Sequence, residues 1–430
     1  MKSFYYLLIT SLCLLFTASC RQTVPLHPDW TADAVMYEVN IRQFTPEGTF
    51  DAFAHHLPRL KDLGVDVLWL MPIHPIGEVE RKGSLGSYYA VKDYTAVNPE
   101  FGTLDDFKSL VTTAHEMGFK LIIDWVANHT SPDAVWSEHK DWYRTDSLGN
   151  FEIQYDWTDI AQLDFDNQDM RRAMIDAMRF WVAETQIDGF RCDVAWNIPV
   201  DFWEAAVTEI KAIKPDLFML AEAEEPPLQQ KAFDVYYAWH LHHVMNQIAQ
   251  GEADANEFWI ACTEMLDRFP PYAIPLYFTS NHDENSWQGT EFERMGAAAR
   301  TFAALTYVLP GMPLIYNGQE SGFDRRLLFF EKDEIDWTDP LDFTPFYRDL
   351  NQLRKDNPAL YSQGQGGKLV KITNSTPAAV FSFERAVTGN KVVAVFNLSA
   401  QPQVPSFESD DPELKAIDCL EPWEYKLFIH

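Results

Sequence analysis

Positive charge is what this chain has least of: 34 Lys and Arg stand against 64 Asp and Glu, a formal net charge of -30. So acidic a surface repels phosphate backbones and anionic headgroups. That argues against nucleic acid or an anionic membrane surface as partner and fits a neutral ligand. Cysteine is also scarce, at five in 430 residues. Beyond the amino-terminal segment only Cys192, Cys262 and Cys419 remain. An odd, widely spaced set supplies neither a disulfide framework nor a zinc spacing. The sequence has no internal repeats and no low-complexity linker. Its apolar run from Phe4 to Phe16 is too short to span a bilayer as a stable helix.

That run reads instead as targeting. Lys2 precedes it, and it ends Thr17-Ala18-Ser19-Cys20. Small residues before a cysteine resemble a bacterial lipoprotein signal, in which cleavage leaves Cys20 as the lipidated first residue. Thr17 stands where Leu is more usual, and a plain secretory signal is the alternative. The expectation is a signal over 1–20 and a protein exported to the bacterial envelope, in the periplasm or at the cell surface. Its membrane contact would then run only through the lipid.

What the chain does have is apolar and aromatic side chains, 47% and 14% of the total. That is enough for a large core, and one barrel plus a small domain fits the length better than three equal domains. The 14 Trp and 17 Tyr suit stacking on sugars, although core packing accounts for most of them. From Trp30 onward short apolar strands alternate with helical stretches, which implies a parallel sheet. Eight strands are expected, at Val35–Asn40, Val65–Met71, Lys120–Asp124, Gly189–Asp193, Leu217–Glu222, Phe233–Tyr237, Leu276–Asn281 and Pro313–Tyr316. A (β/α)8 barrel of about 250 residues spends about 31 per unit. Asn40 to Met71 and Asp193 to Glu222 are each one such step, and Glu222 to Asp283 is two. The excess between Asp124 and Asp193 predicts a short subdomain inserted after the third strand, about 130–165. The barrel is expected over 28–356. After Asn357-Pro358 the pattern changes to short strands and turns, predicting a small antiparallel β domain over 360–430.

The centre of the chain is Asp188-Gly-Phe-Arg191-Cys192-Asp193-Val-Ala-Trp196. Asp-Gly opens a short strand, and alternation puts Arg191 and Asp193 on one face and Phe190 and Cys192 on the other. A lone Arg-x-Asp is most often a structural ion pair. Here, however, Asp124, Asp193, Glu222 and Asp283 all fall at the carboxyl ends of predicted barrel strands, where barrel active sites lie. Unpaired buried carboxylates are too costly to be there for structure alone.

These residues resemble the α-amylase family of glycoside hydrolases, from about Tyr37 to Glu320. Asp124-Trp-Val-Ala-Asn128-His129 is similar to its first signature, and Gly189-Phe-Arg191-Cys-Asp193 to its second. Leu220-Ala-Glu222 and Phe278-Thr-Ser-Asn281-His282-Asp283 are similar to the third and fourth. Gly311-Met-Pro313 through Gly318-Gln-Glu320 resembles the segment around the eighth strand. Tyr89, with Asp93-Tyr94, matches a further motif, with Ser87-Tyr88 before it. The resemblance implies Asp193 as nucleophile, Glu222 as general acid and base, and Asp283 as transition-state stabiliser. It implies substrate binding by Tyr89, His129, His282 and Arg191, the last by orienting Asp193. Asp124 and Asn128 would be supporting residues. The implied substrate is an α-glucan or maltooligosaccharide.

Departures keep alternatives open. Trp196 stands where many members carry a Lys-His pair, and either stacks on a leaving-group sugar or packs its loop. Glu224 is either a polar subsite contact or a solvated charge. Family members often bind calcium through the Asn of the first signature. Asn128 is present, with Asp133, Asp141 and Asp156 nearby, but no ordered ligand spacing assigns a metal here, and no cofactor is required. The cluster His240, His242 and His243 has no metal spacing and is expected on a helix. Function stays open between hydrolysis of α-glucosidic bonds, transfer to another sugar, and a catalytically inactive sugar-binding protein on the same fold.

Overall fold

The structure is a computed structural model that describes residues 27–339, 341–362 and 364–430. The expected signal over 1–20, Cys20 included, lies outside the described residues. Eight parallel strands close into a barrel. In chain order the fold begins with β1 (Met36–Val39), β2 (Val67–Leu70) and β3 (Lys120–Trp125). The two-residue strands β4 (His129–Thr130) and β5 (Ala161–Gln162) pair antiparallel in the insertion. The barrel resumes with β6 (Gly189–Cys192), β7 (Phe218–Ala221), β8 (Val235–Tyr237), β9 (Ile274–Tyr277) and β10 (Met312–Tyr316). Around the barrel each strand neighbours the next, and β10 closes on β1.

Strand alternation divides the core in two. Met36, Val67, Trp69, Ile122, Leu220, Val235, Leu276 and Leu314 fill the barrel interior. Tyr37, Leu68, Leu121, Ile123, Phe190 and Cys192 face the helices. Gly189 is required at the β6–β7 contact, because a Cβ there would lie 2.0 Å from the Phe218 carbonyl oxygen. Asp188, just before it, ties neighbouring elements together beneath the barrel. It accepts from His115 Nε2 at 2.7 Å, Lys214 Nζ at 2.8 Å and the Leu121 amide at 2.8 Å.

The segment after β2 runs irregularly to the helix Leu104–Glu116, whose first turn is closed by a Thr103/Asp106 capping box. The insertion after β3 is mostly short turns around β4 and β5, consistent with its lack of periodicity. The seventh barrel strand, expected at Leu276–Asn281, begins and ends earlier than the sequence suggests. β9 stops at Tyr277, so Asp283 sits six residues beyond, on the turn leading into a π-helical segment Glu284–Gln288. The carboxyl-terminal sheet has the order β11 (Val370–Lys371), β12 (Val380–Val387), β13 (Asn390–Asn397), β14 (Tyr425–Ile429). Buried Arg385 fastens it to the barrel, donating to the carbonyls of Val308, Leu309 and Leu360.

Candidate active site

The carboxyl ends of the strands surround a cavity of about 850 Å³ lined by Tyr89, His129, Asp193, Trp196, Glu222, His282 and Asp283. Three acids from three different strand ends therefore share one space. Backbone geometry brings two of them side by side. The Asp193 amide bonds Trp125 O and the Glu222 amide bonds Cys192 O, both at 3.0 Å, so each residue extends the ladder one step past its strand.

Beneath them lies Arg191, with no exposed surface. Its Nη1 donates to Asp124 Oδ1 at 3.0 Å and to Asp193 Oδ1 at 3.1 Å, and its Nη2 lies 3.1 Å from Glu222 Oε2. The expectation that Arg191 binds substrate is corrected by this placement: it lies under the cavity, not on its wall, and acts through the acids. It does contact Asp193, as expected, and the same guanidinium also holds Asp124 and lies beside Glu222. Asp124 is equally buried, accepting also from Tyr89 Oη at 2.9 Å and Trp69 Nε1 at 3.2 Å.

Burial pushes the carboxyl of Asp193 well above its ordinary range, and the charge of Glu222 pushes the same way, against Arg191. Burial likewise raises Glu222, against Arg191. Two adjacent buried acids titrate as a unit. The Val194 amide donates to Glu222 Oε2 at 2.8 Å, and Arg191 Nη2 forms its ion pair with the same oxygen. Glu222 Oε1 makes no hydrogen bond to the described residues. Val194 has φ 46°, a left-handed conformation that a β-branched residue rarely adopts, and this turn aims its amide at Glu222.

The two histidines of the cavity are in opposite states. Burial lowers His129 to about 4, so its ring is neutral, with Asn128 Nδ2 3.1 Å from its Nδ1. His282 resists the same burial because Asp283 and Glu38 surround it with negative charge, and its pKa rises to about 9. His282 stacks on Tyr89, centroids 5.4 Å apart. Trp196 is 49% exposed and lines the cavity. Glu224 accepts from the His240 amide at 3.2 Å and is absent from the cavity lining. His240, His242 and His243 lie on the helix Trp239–Gln250, and His242 Nε2 is 3.0 Å from Glu284.

The residues near Asn128 do not fit a calcium ion. Asn128 Oδ1 accepts from Asn197 Nδ2 at 2.9 Å, Asp133 pairs with Lys92 at 3.2 Å, and Asp141 accepts from Asn167 at 3.1 Å. Among the described residues, the grouped metal-type side chains are Asp411, Glu413 and His430, remote in sequence and mostly exposed.

The sequence reading missed Lys82, Trp157, Trp287, Phe329 and Phe330, which also line the cavity. Trp287, half exposed, sits 5.3 Å from Phe329 and 5.7 Å from Phe330, centroid to centroid, making one aromatic wall. Their signal was composition: bulky aromatics in irregular segments after strands.

The family model for the α-amylase catalytic domain matches residues 16–146 and 137–358. The α-amylase MalA of Haloarcula japonica is 30% identical over 396 residues, 87% of this chain and 57% of that protein. An α-1,4-glucan:maltose-1-phosphate maltosyltransferase of Rhodospirillum rubrum is 30% identical over 376 residues, 79% of this chain and 53% of that protein. The chain thus matches little more than half the length of these curated relatives. The crystal structure of an α-amylase from Lactobacillus plantarum aligns with a TM-score of 0.81 at 30% identity, covering 93% of this chain and 99% of that one. With the barrel, the four signature segments and the catalytic-domain match all in agreement, the chain belongs to the α-amylase family.

Proposed function

We propose that the chain is a retaining glycoside hydrolase acting on α-glucosidic bonds of starch-like or maltooligosaccharide substrates. One observation carries this reading: Asp193, Glu222 and Asp283 line a single cavity, while one buried guanidinium holds the first two together. Retention needs carboxyls about 5–5.5 Å apart, whereas inversion needs about 6.5–9.5 Å to admit water. Two acids on neighbouring strand ends, both within 3.1 Å of the same guanidinium, support the shorter spacing.

In this reading Asp193 attacks the anomeric carbon through Oδ2, the oxygen that Arg191 does not hold. Glu222 protonates the departing glycosidic oxygen from Oε1. The sugar is then bonded to Asp193; ionised Glu222 takes a proton from a water that attacks the same carbon, the bond to Asp193 breaks, and Asp193 leaves as its carboxylate. Asp283, beside His282, faces the positive charge that develops on the ring. Tyr89 offers its ring face to the sugar, and Trp196 stacks on the leaving-group side.

Proton NMR of the first-formed product tests the assignment: an α-linked substrate should release the α-anomer, and an initial β-anomer would overturn it. Asp193→Asn should abolish turnover by several orders of magnitude while the protein stays folded. Binding of maltooligosaccharides without any turnover in the wild type would favour the inactive sugar-binding alternative. Transfer to a second sugar is the competing chemistry, favoured by the half-exposed Trp196 at the acceptor side and by maltosyltransferases among the relatives. Product analysis at high oligosaccharide concentration separates it from hydrolysis.

We also propose that the protein is exported and lipid-anchored at Cys20, on the strength of the apolar run ending Thr-Ala-Ser-Cys. Cys20→Ser should release it from the membrane fraction or block processing, and unchanged fractionation of that variant would refute the anchor.

A further inference from the structure

Glu38 lies on β1 with its side chain inside the barrel, and it has no exposed surface. Its strand neighbours across the ladder are Trp69 and Tyr316. Its Oε1 is 2.5 Å from His282 Nδ1, and its Oε2 is buried with no hydrogen-bond partner. A buried carboxylate with an orphaned oxygen is expensive and offers little to stability by itself.

The hydrogen-bond inventory around His282 says what it is for. Tyr89 has one hydroxyl proton, and Asp124 Oδ2, an acceptor, takes it at 2.9 Å. Tyr89 Oη can therefore only accept from His282 Nε2, 2.8 Å away. The same nitrogen lies 3.3 Å from the carboxylate of Asp283, a second acceptor. Nε2 thus carries hydrogen. Glu38 faces the other ring nitrogen with an oxygen; burial raises the Glu38 carboxyl, but His282 itself pulls it back toward the ionised form, and against an ionised Glu38 Nδ1 carries hydrogen too.

We propose that Glu38 is a positioning residue that holds His282 doubly protonated, so that its Nε2–H is a fixed donor at the sugar-binding wall beside Asp283. The proposal deepens the glycosidase reading and rests on it for the consequence to turnover. The groups facing His282 are Glu38 from β1, Tyr89 from the segment after β2, Asp124 from β3, Arg191 from β6, Glu222 after β7 and its neighbour Asp283. Arg191 opposes a cationic imidazole, while Asp283 and Glu38 favour it more strongly, and the balance keeps His282 charged up to about pH 9. Glu38 contributes without touching substrate. A neutral His282 would have one ring nitrogen without a proton, so one of its two contacts would face lone pair against lone pair.

The test is Glu38→Gln, which keeps the shape and removes the charge. A histidine of ordinary pKa is about one-tenth protonated at pH 7.5. The variant's kcat/KM should therefore be near wild type at pH 5 and fall about tenfold or more below wild type by pH 7.5. A purely structural role would give a loss that does not change with pH, and that outcome overturns the proposal. If the variant does not fold, the wild-type protein decides. Nitrogen NMR of labelled histidines, with His282 assigned by the signal missing from His282→Gln, should show two protonated ring nitrogens at pH 8. A neutral His282 at that pH overturns the proposal even if the enzyme turns over. Two protonated nitrogens in a protein without glycosidase activity would instead fault the functional reading alone.

Discussion

Arg191 reaches Glu222 as closely as it reaches Asp193, at 3.1 Å to each carboxylate. Two Nη groups of one planar fork therefore set the spacing of the two acids, with Asp124 bracing the fork from behind at 3.0 Å. A guanidinium can do this because its donors are rigidly splayed; an ammonium is a point charge.

Arg191→Lys should for that reason fail although it keeps the charge. We expect kcat to fall by at least about a hundredfold, equivalent to about 3 kcal/mol of transition-state stabilisation. Steady-state kinetics on maltooligosaccharides checks this, with circular dichroism to establish folding. Wild-type kcat in the lysine variant would show that charge alone suffices.

Glu222 has its pKa raised by burial, so the protonated acid persists above the ordinary carboxylate range. Turnover should be sustained below that raised pKa and decline as pH climbs through it. Glu222→Gln removes the proton donor, and its deficit should be largest on natural oligosaccharides and smallest on aryl glycosides with good leaving groups. Equal losses on both would place the proton donor elsewhere.

The rim aromatics belong to binding. Trp196 and Trp287, both about half exposed, line the same cavity as the acids. Trp196→Ala and Trp287→Ala should each raise KM for long oligosaccharides by roughly tenfold, the worth of about 1–1.5 kcal/mol of aromatic contact, with little change in unfolding temperature. Short substrates that reach only the acids should be less affected. Unchanged KM on every chain length would exclude sugar contact.

Asp188 is a stability site. Burial would raise its pKa, but hydrogen bonds from His115 and Lys214 outweigh that and bring it to about 2. The group is depressed in the folded state, so its contribution is complete above the unfolded value of 3.8 and is lost as pH falls through about 2. The shift corresponds to about 2 kcal/mol. Asp188→Asn should cost at least that at pH 7 in denaturant unfolding. The gap between variant and wild type should close as pH falls below 3.8 toward 2. A gap independent of pH would assign the loss to packing.

Strand periodicity, barrel spacing and the run of signature segments were enough to place Asp193 and Glu222 at strand ends, because a parallel barrel converts a regular step in sequence into a shared end in space, whereas Asp283 lies six residues beyond β9. Alternation likewise put Cys192 toward the helices and Arg191 inside. These are local or periodic properties, and a chain carries them wherever it is read. Closure decided the rest. Glu38 and His282 are 244 residues apart and meet because their side chains share the barrel interior at its carboxyl end, which no spacing rule announces. Arg191 and Glu222 pair across β6 and β7, so whether the arginine favours one acid or divides itself depends on side-chain reach rather than on which face each occupies. Phe329 and Trp287 form a wall only where the irregular segment after β10 approaches the π-helical turn after β9. Irregular backbone has no period, and its contacts exist only after the barrel has brought the segments together.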